Sequence, residues 1–268
     1  MSLLRGELVV VRGAGDLATG CILRLVRAGF RVVALEVAAP SAIRRTVSLS
    51  EAMYEGSACV EGLAARRCDS LPATWASGDP VPILQDPDGQ CLGQLRPIAL
   101  VDAILAKRNL GTRLDMAPVV IALGPGFEAG RDAHAVVETN RGHDLGRVLL
   151  AGCAEPNTGV PGLIAGRGGE RVLHAPVAGP VEPCCAIGDR VRAGDPILII
   201  QGVTVSSAID GVVRGLIRPG FVARAGLKIA DVDPRGEVAH CYTVSDKARA
   251  IAGGVLEAIL MLGAGAPR

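Results

Sequence analysis

Aromatic side chains are scarce: three Phe, two Tyr and one Trp make up 2% of 268 residues, although 49% of the chain is apolar. The core must therefore be built from Val, Leu, Ile and Ala. Excess charge of either sign is also missing. Lys and Arg total 28 against 27 Asp and Glu, a net charge of +1 with no basic run, so no nucleic-acid surface is expected. No uninterrupted apolar stretch approaches membrane-spanning length, and residues 1–7 lack the apolar region of a secretory signal. The expectation is a cytoplasmic protein with no membrane partner. The eight cysteines include no C-x-x-C pair and no histidine at zinc spacing, so no metal is expected and the thiols read as reduced and mostly buried. Adjacent Cys184 and Cys185 form the one cluster that suits a soft metal or sulfur chemistry.

What is present in quantity is glycine, 35 residues of it. Residues 9–20 read V-V-V-R-G-A-G-D-L-A-T-G, an apolar run that stops at a glycine turn and passes at once into helical spacing. Gly13-x-Gly15-x-x-Ala18 fits the permissive form of the dinucleotide fingerprint. Gly13 permits the turn, Gly15 admits a pyrophosphate close to the backbone, and Ala14 and Asp16 complete the loop before a helix N-terminus. Residues 31–36, R-V-V-A-L-E, read as the next strand, with Glu36 where a ribose-binding acid belongs. Asp16 counts against a pyrophosphate, because it adds negative charge beside it. A tight βα turn that binds nothing is the competing reading.

Further along, Arg44 and Arg45 suit a phosphate or carboxylate, or a solvated loop. A helical segment is expected over 48–54, with short strands at 58–60, 63–65 and 81–84. Residues 98–104 read as a buried strand that embeds Asp102, an acid that needs a partner or a pocket, with Lys107 and Arg108 close by in sequence. Residues 118–123 form another strand, ending in the glycine loop Gly124-Pro125-Gly126 at the edge where open α/β sheets bind ligands. A polar run follows, with His134, Glu138, Asn140, Arg141 and His143. Its spacing fits no standard metal motif, so a polar pocket for an anion or a structural network is the better reading.

From residue 175 to 200 and from 207 to 232 the chain repeats itself at an offset of 32. V-A-G-P-V at 177–181 matches I-D-G-V-V at 209–213, Gly188 matches Gly220, and Ile197 matches Ile229. Each half is a set of short strands too small to bury a core alone, so the two are expected to interleave. The wording resembles the biotinyl/lipoyl-type fold, but the link between the halves, I-Q-G-V-T-V at 200–205, has no carrier lysine. A docking or structural role follows. Residues 244–260 read as a helix that returns to the first domain, with paired Gly253 and Gly254 implying close packing.

The fold class expected is α/β. It comprises a Rossmann-like parallel-sheet domain over 1–165, a small all-β barrel-sandwich hybrid over 166–238 and a C-terminal helix over 239–268. As a set, R-G-A-G-D-L-A-T-G, R-R-T-V-S, V-D-A-I-L-A-K, A-L-G-P-G-F, E-T-N-R-G-H and S-D-K-A-R-A-I-A-G-G-V-L-E resemble the YqeB-type accessory proteins of selenium-dependent molybdenum hydroxylase systems. The resemblance implies maturation of a xanthine-dehydrogenase-like client through its molybdenum cofactor or labile selenium, and it assigns no catalytic residue. The site expected from the residues themselves comprises Gly13, Ala14, Gly15, Asp16, Glu36, Arg45, Asp102, Gly124, Gly126, Asn140, Arg141 and His143. NAD(P), another nucleotide and a molybdopterin cofactor are the candidate ligands. Two further readings stay open: an NAD(P)-dependent oxidoreductase with His134 or His143 as general acid, and a sulfur- or selenium-transfer enzyme using Cys184 or Cys185. Homo-oligomerisation is also left open.

Overall fold

A computed structural model describes residues 6–76 and 78–263. Of the spans expected above, residues 1–5 and 77 of 1–165 and residues 264–268 of 239–268 lie outside the described residues. The chain divides into two compact units, and the division differs from the one expected. Unit 1 comprises Met1–Pro40, Ser48–Asn157 and Val244–Arg268; unit 2 comprises Ser41–Val47 and Thr158–Thr243.

Unit 1 is built on a nine-stranded mixed sheet. Its parallel centre is β1 (Leu8–Arg12), β2 (Arg31–Glu36), β5 (Val81–Gln85), β6 (Ala99–Asp102) and β7 (Val119–Leu123). β3 (Ser57–Val60) and β4 (Leu63–Cys68) extend it on one side, β9 (Ala135–Val137) and β10 (Val148–Leu149) on the other. The order is β10-β9-β7-β6-β1-β2-β5-β4-β3, with β8 (Glu128–Ala129) and β11 (Gly152–Cys153) forming a separate pair. All five residues of β1 are buried, as a strand covered on both faces requires. β1 has β2 on one side and β6 on the other, both parallel to it. The chain leaves β1 for β2 through α1 (Asp16–Arg27) and later continues from β6 to β7 on the opposite side, so strand order reverses between β1 and β6. A crevice at the carboxyl ends of such strands is where open α/β sheets take ligands.

One face of this sheet carries α1 and α4 (Asp246–Gly263). Cys21, Ile22 and Leu25 of α1 and Ile251, Val255 and Ile259 of α4 are fully buried. The helices approach closely: a Cβ on Gly20 would stand 2.8 Å from that of Ala248. The other face is covered by irregular segments. Leu71, Trp75, Leu92, Met116 and Phe127 pack there on Val10, Val33, Leu100 and Val120. The helical segment expected over 48–54 lies at 49–55, as a 3-10 turn at Leu49–Glu51 followed by α2 (Ala52–Glu55). The only other short α-helix among the described residues is α3 (Leu92–Leu95).

Unit 2 is all-β apart from single 3-10 turns. Its strands are β12 (Val172–His174), β13 (Gly179–Pro183), β14 (Arg190–Val191), β15 (Pro196–Ile200), β16 (Val203–Ser206), β17 (Gly211–Leu216), β18 (Val222–Ala223) and β19 (Lys228–Asp233). They form two four-stranded sheets, β12-β19-β17-β14 and β16-β15-β13-β18. The 32-residue offset carries one order onto the other. Each copy lends its shortest strand to its twin: β14 pairs with β17, and β18 pairs with β13. Between the sheets lie Val181, Ile197, Ile200, Val213, Ile229 and Val232, at most 1% exposed. The two copies therefore share one core. Gln201 and Gly202, both at positive φ (52° and 74°), make the two-residue turn from β15 to β16.

The paired glycines of α4 are not equivalent. A Cβ on Gly254 would collide with the Gly146 carbonyl oxygen and come within 2.9 Å of Val137, whereas one on Gly253 would meet nothing within 4 Å. Gly254→Ala is expected to destabilise toward the upper end of about 1–3 kcal/mol. Gly253→Ala should instead stabilise by up to about 1 kcal/mol through helix propensity. Urea unfolding of the two variants distinguishes them by the sign of the change.

Candidate functional site at the carboxyl edge of the sheet

At the last position of two adjacent strands, Arg12 of β1 lies in register with Asp102 of β6. Both side chains are buried, 2% and 1% exposed. Arg12 Nη1 donates to Asp102 Oδ2 at 3.3 Å and to the Thr112 hydroxyl at 2.5 Å, and that hydroxyl donates on to the same Oδ2 at 2.5 Å. Arg12 Nη2 donates to the carbonyls of Pro87 and Leu110, and Asp102 Oδ1 accepts from the Ile104 amide. The partner of Asp102 is thus Arg12, not Lys107 or Arg108. Lys107 Nζ instead donates to Asn157, and the Arg108 backbone lies against Gly126. Local sequence proximity had hidden a partner supplied by strand register.

Above this pair the glycine turn begins. Gly13 sits at φ 98°, and a Cβ there would stand 2.9 Å from the Ala103 carbonyl oxygen. Its amide donates to Leu35 O, tying the turn to the end of β2. Gly15 differs. Its φ of −65° and ψ of −175° suit any residue, and a Cβ on it would meet nothing within 4 Å. Neither backbone conformation nor packing demands glycine there, so the space beside the start of α1 is open. Thr19 and Ser50 brace the turn from below: the Thr19 hydroxyl donates to Ala14 O and accepts from Leu49 N, and Ser50 N donates to Ala14 O.

Glu36, at the end of β2, turns its carboxylate to this loop. One oxygen accepts from Ala14 N and the other from Val37 N, both at 2.8 Å. Each oxygen keeps an acceptor site for a ligand hydroxyl. Burial raises the Glu36 pKa above the ordinary carboxylate range, against the lowering effect of those two N–H groups.

The second glycine loop is closed. A Cβ on Gly124, at φ 75°, would collide with the Thr139 hydroxyl, and one on Gly126, at φ 104°, would stand 2.5 Å from the Arg108 Cα. These glycines serve close packing, so Gly124 and Gly126 leave the ligand cradle. Glu138 is likewise spent within the protein, accepting from the amides of Thr139, Asn140 and Glu155 at 2.6–2.7 Å. Arg141 makes a two-pronged ion pair with Asp246 in the first turn of α4, while Asn140 and His143 are exposed in the β9–β10 loop. His134 lies at the opposite edge: its Nδ1 accepts from Val120 N near the start of β7. A His134–Glu138–His143 cluster does not form, and no group of three or more potential metal ligands occurs among the described residues.

Arg45 is a further correction. It belongs to unit 2, where Nε donates to Leu216 O at 2.8 Å. Cys185 is also ill-suited to nucleophilic work. Burial pushes its thiol up to about 11, and the thiol donates to Ile197 O. Gly13, Ala14, Gly15, Asp16, Glu36 and Asp102 therefore remain together along β6-β1-β2. Sequence reasoning missed Arg12, Thr112 and Ser50. For Arg12 a signal existed, a charge closing an apolar run as Asp102 closes another.

No family model matches the chain. Over 258 residues it is 52% identical to the uncharacterized protein YqeB of Escherichia coli K12, a match that covers 96% of this chain and 48% of that protein. It is similar to YqeB. The chain spans about half the length of this curated relative, and no residue role comes with the likeness. Among solved structures, an aspartoacylase family protein of Mesorhizobium loti overlaps with a TM-score of 0.26 at 14% identity, covering 85% of this chain and 84% of that one. The ectoine utilization protein EutE of Ruegeria pomeroyi overlaps with the same score at 11% identity, covering 85% of each chain. Overlaps at that level decide nothing about fold or activity. Among the described residues, no helix is long and apolar enough to cross a membrane.

Two variants test the energetics of this edge. Asp102→Ala, which strands a buried guanidinium, should cost about 3–5 kcal/mol in urea unfolding. Glu36 should make stability fall as pH rises. Because its folded pKa is raised, the folded state holds a proton more tightly than the unfolded chain, an advantage present below about pH 4.5 and lost as pH rises through the folded value. Glu36→Gln should remove that slope in melts between pH 4 and 7.

Proposed function

We propose that the chain is an accessory factor that binds a nucleotide or molybdopterin-type cofactor at the glycine turn after β1. Its client is a xanthine-dehydrogenase-like molybdenum hydroxylase of a selenium-dependent system. The observation that carries the ligand site is the open space at Gly15, at the point where strand order reverses. A phosphate group there would meet first-turn amides of α1, which lack helical acceptors. Glu36, with an acceptor site left on each oxygen, suits a ribose diol next to it. Asp16 in the first turn makes the locus acidic, so a diphosphate would bind best with a divalent cation. The β1-α1-β2 unit with β6 on its far side supports a Rossmann-like reading of unit 1. The interleaved sheets support a biotinyl/lipoyl-like reading of unit 2, with Gln201-Gly202 in the turn where a carrier would present lysine. Unit 2 would then dock on the client.

The oxidoreductase alternative has less behind it, since His134 lies at the far edge of the sheet and His143 is exposed in the β9–β10 loop. The transfer-enzyme alternative is weakened by the raised Cys185 thiol.

Thermal melts against NAD, NADP, ATP, CTP, GTP and molybdopterin cofactor, with and without magnesium, test the reading. A ligand at 100-fold its Kd adds about 2.7 kcal/mol, which should raise Tm by about 5–10 °C. Gly15→Val should abolish that rise yet leave the ligand-free Tm within about 2 °C, because the backbone there admits valine and the space is empty. A shift with NAD or NADP alone would favour the oxidoreductase. No shift with any compound would return the turn to a purely structural role.

A further inference from the structure

The internal repeat supplies its own control. Because an offset of 32 relates the two sheets of unit 2, every outward position on one has a counterpart on the other. On β12-β19-β17-β14 the outward residues Val172, Arg214 and Asp231 are buried, at 8%, 5% and 3% exposure. Asp231 pairs with Arg171 and Arg214. A cover from the same unit lies over this face. Ile43 stands over Gly215, whose added Cβ would come within 3.1 Å of it, and Ile43 O accepts from Leu216 N at 2.7 Å. The Cys241 thiol reaches Val213 O, and Thr46 and Arg44 bind the carbonyls of Cys241 and His240. The segment Ser41–Val47, two arginines among aliphatic residues, is thus part of a lid on this sheet.

On β16-β15-β13-β18 the counterparts are Thr204, Glu182 and Ile199. Register sets Glu182 opposite Ile199 and Ile199 opposite Thr204, so the three share one face, with the pair Pro180 and Val222 one row along. Among the described residues no segment like the lid covers them. Pro180, Glu182 and Thr204 are exposed, and Val222 is 72% exposed. The Glu182 side chain makes no ion pair or hydrogen bond among the described residues. Where the covered sheet has a cation held by aspartates, its twin has a lone carboxylate among aliphatic side chains.

We propose that this outer face is a docking surface for a partner-protein segment that sets an arginine or lysine between aliphatic side chains. The cation would meet Glu182, and the aliphatic groups would cover Pro180, Ile199 and Val222. The charge of the face selects that chemistry, and the lid on the twin sheet shows the fold accepting a segment of the same kind. The inference rests on unit 2 alone and is independent of the ligand and client proposed above.

The probe is a synthetic peptide of the lid, Ser-Ala-Ile-Arg-Arg-Thr-Val, titrated into the intact isotope-labelled chain, with a control peptide carrying glutamate at both arginine positions. Amide-shift changes should cluster on residues 180, 182, 199, 204 and 222, and the control should leave them unmoved. Glu182→Arg should weaken binding about tenfold, by turning an exposed attraction into a repulsion. Val222→Asp, at an open position, should weaken it as well. Shifts elsewhere, an unchanged spectrum, or undiminished affinity in Glu182→Arg would overturn the proposal. So would a concentration-dependent dimer, in sedimentation, that Val222→Asp dissociates, because the face would then belong to a second copy of the chain.

Discussion

The carboxyl edge of unit 1 depends on one buried ion pair. Removing Arg12 and Asp102 from water costs several kcal/mol per ion, and their mutual attraction offsets that only if the remaining donors and acceptors are also met. Here they largely are. The Thr112 hydroxyl, two carbonyls and the Ile104 amide fill the set, leaving Arg12 Nε as the donor without a partner. These partners come from the loops after β5 and β6, so a single guanidinium gathers two connections onto the end of β1. The glycine turn then has a fixed floor: Gly13 rests on Ala103 O, one residue beyond Asp102. A site built there inherits its rigidity from a pair that touches no ligand.

Glycine is used in two physically distinct ways along this edge. Gly13, Gly124 and Gly126 each combine positive φ with a neighbour that would clash with a Cβ, so the fold alone accounts for them. Gly15 has neither constraint. A sequence motif treats all four alike, because it records where glycine stands and not what a side chain would strike. The structure separates them, and the candidate site shrinks to the turn after β1.

Much of the architecture was legible because it is written in local periodicity. Apolar runs marked β1, β2, β6 and β7, the fixed offset marked the repeat, and the lack of lysine at 200–205 was plain in the residues. What failed was pairing across long separations. Lys107 and Arg108 are near Asp102 in sequence, while its partner Arg12 lies 90 positions away and is adjacent only through parallel register. His134 and Glu138 show the reverse case, near in sequence and apart in the fold. Four positions along a strand span about 13 Å, so His134 and Glu138 end at opposite edges of the sheet. Arg44 and Arg45 follow β2 directly, yet their segment packs in unit 2, an excursion that no local pattern announces.

The repeat in unit 2 shows how one backbone plan can bear two unlike surfaces. Strand order and inward residues are kept between the copies, since Val181, Ile197 and Ile200 and their twins Val213, Ile229 and Val232 must fill one shared core. The outward positions carry no such constraint, and they diverge: Arg214 and Asp231 on one sheet, Glu182 and Ile199 on the other. Buried charges need partners under their cover, and on the first face Asp231 has them in Arg171 and Arg214. Exposed aliphatic groups around a lone carboxylate need no cover for stability. Folding leaves their arrangement free, and the protein-facing surface proposed above is the use it suits.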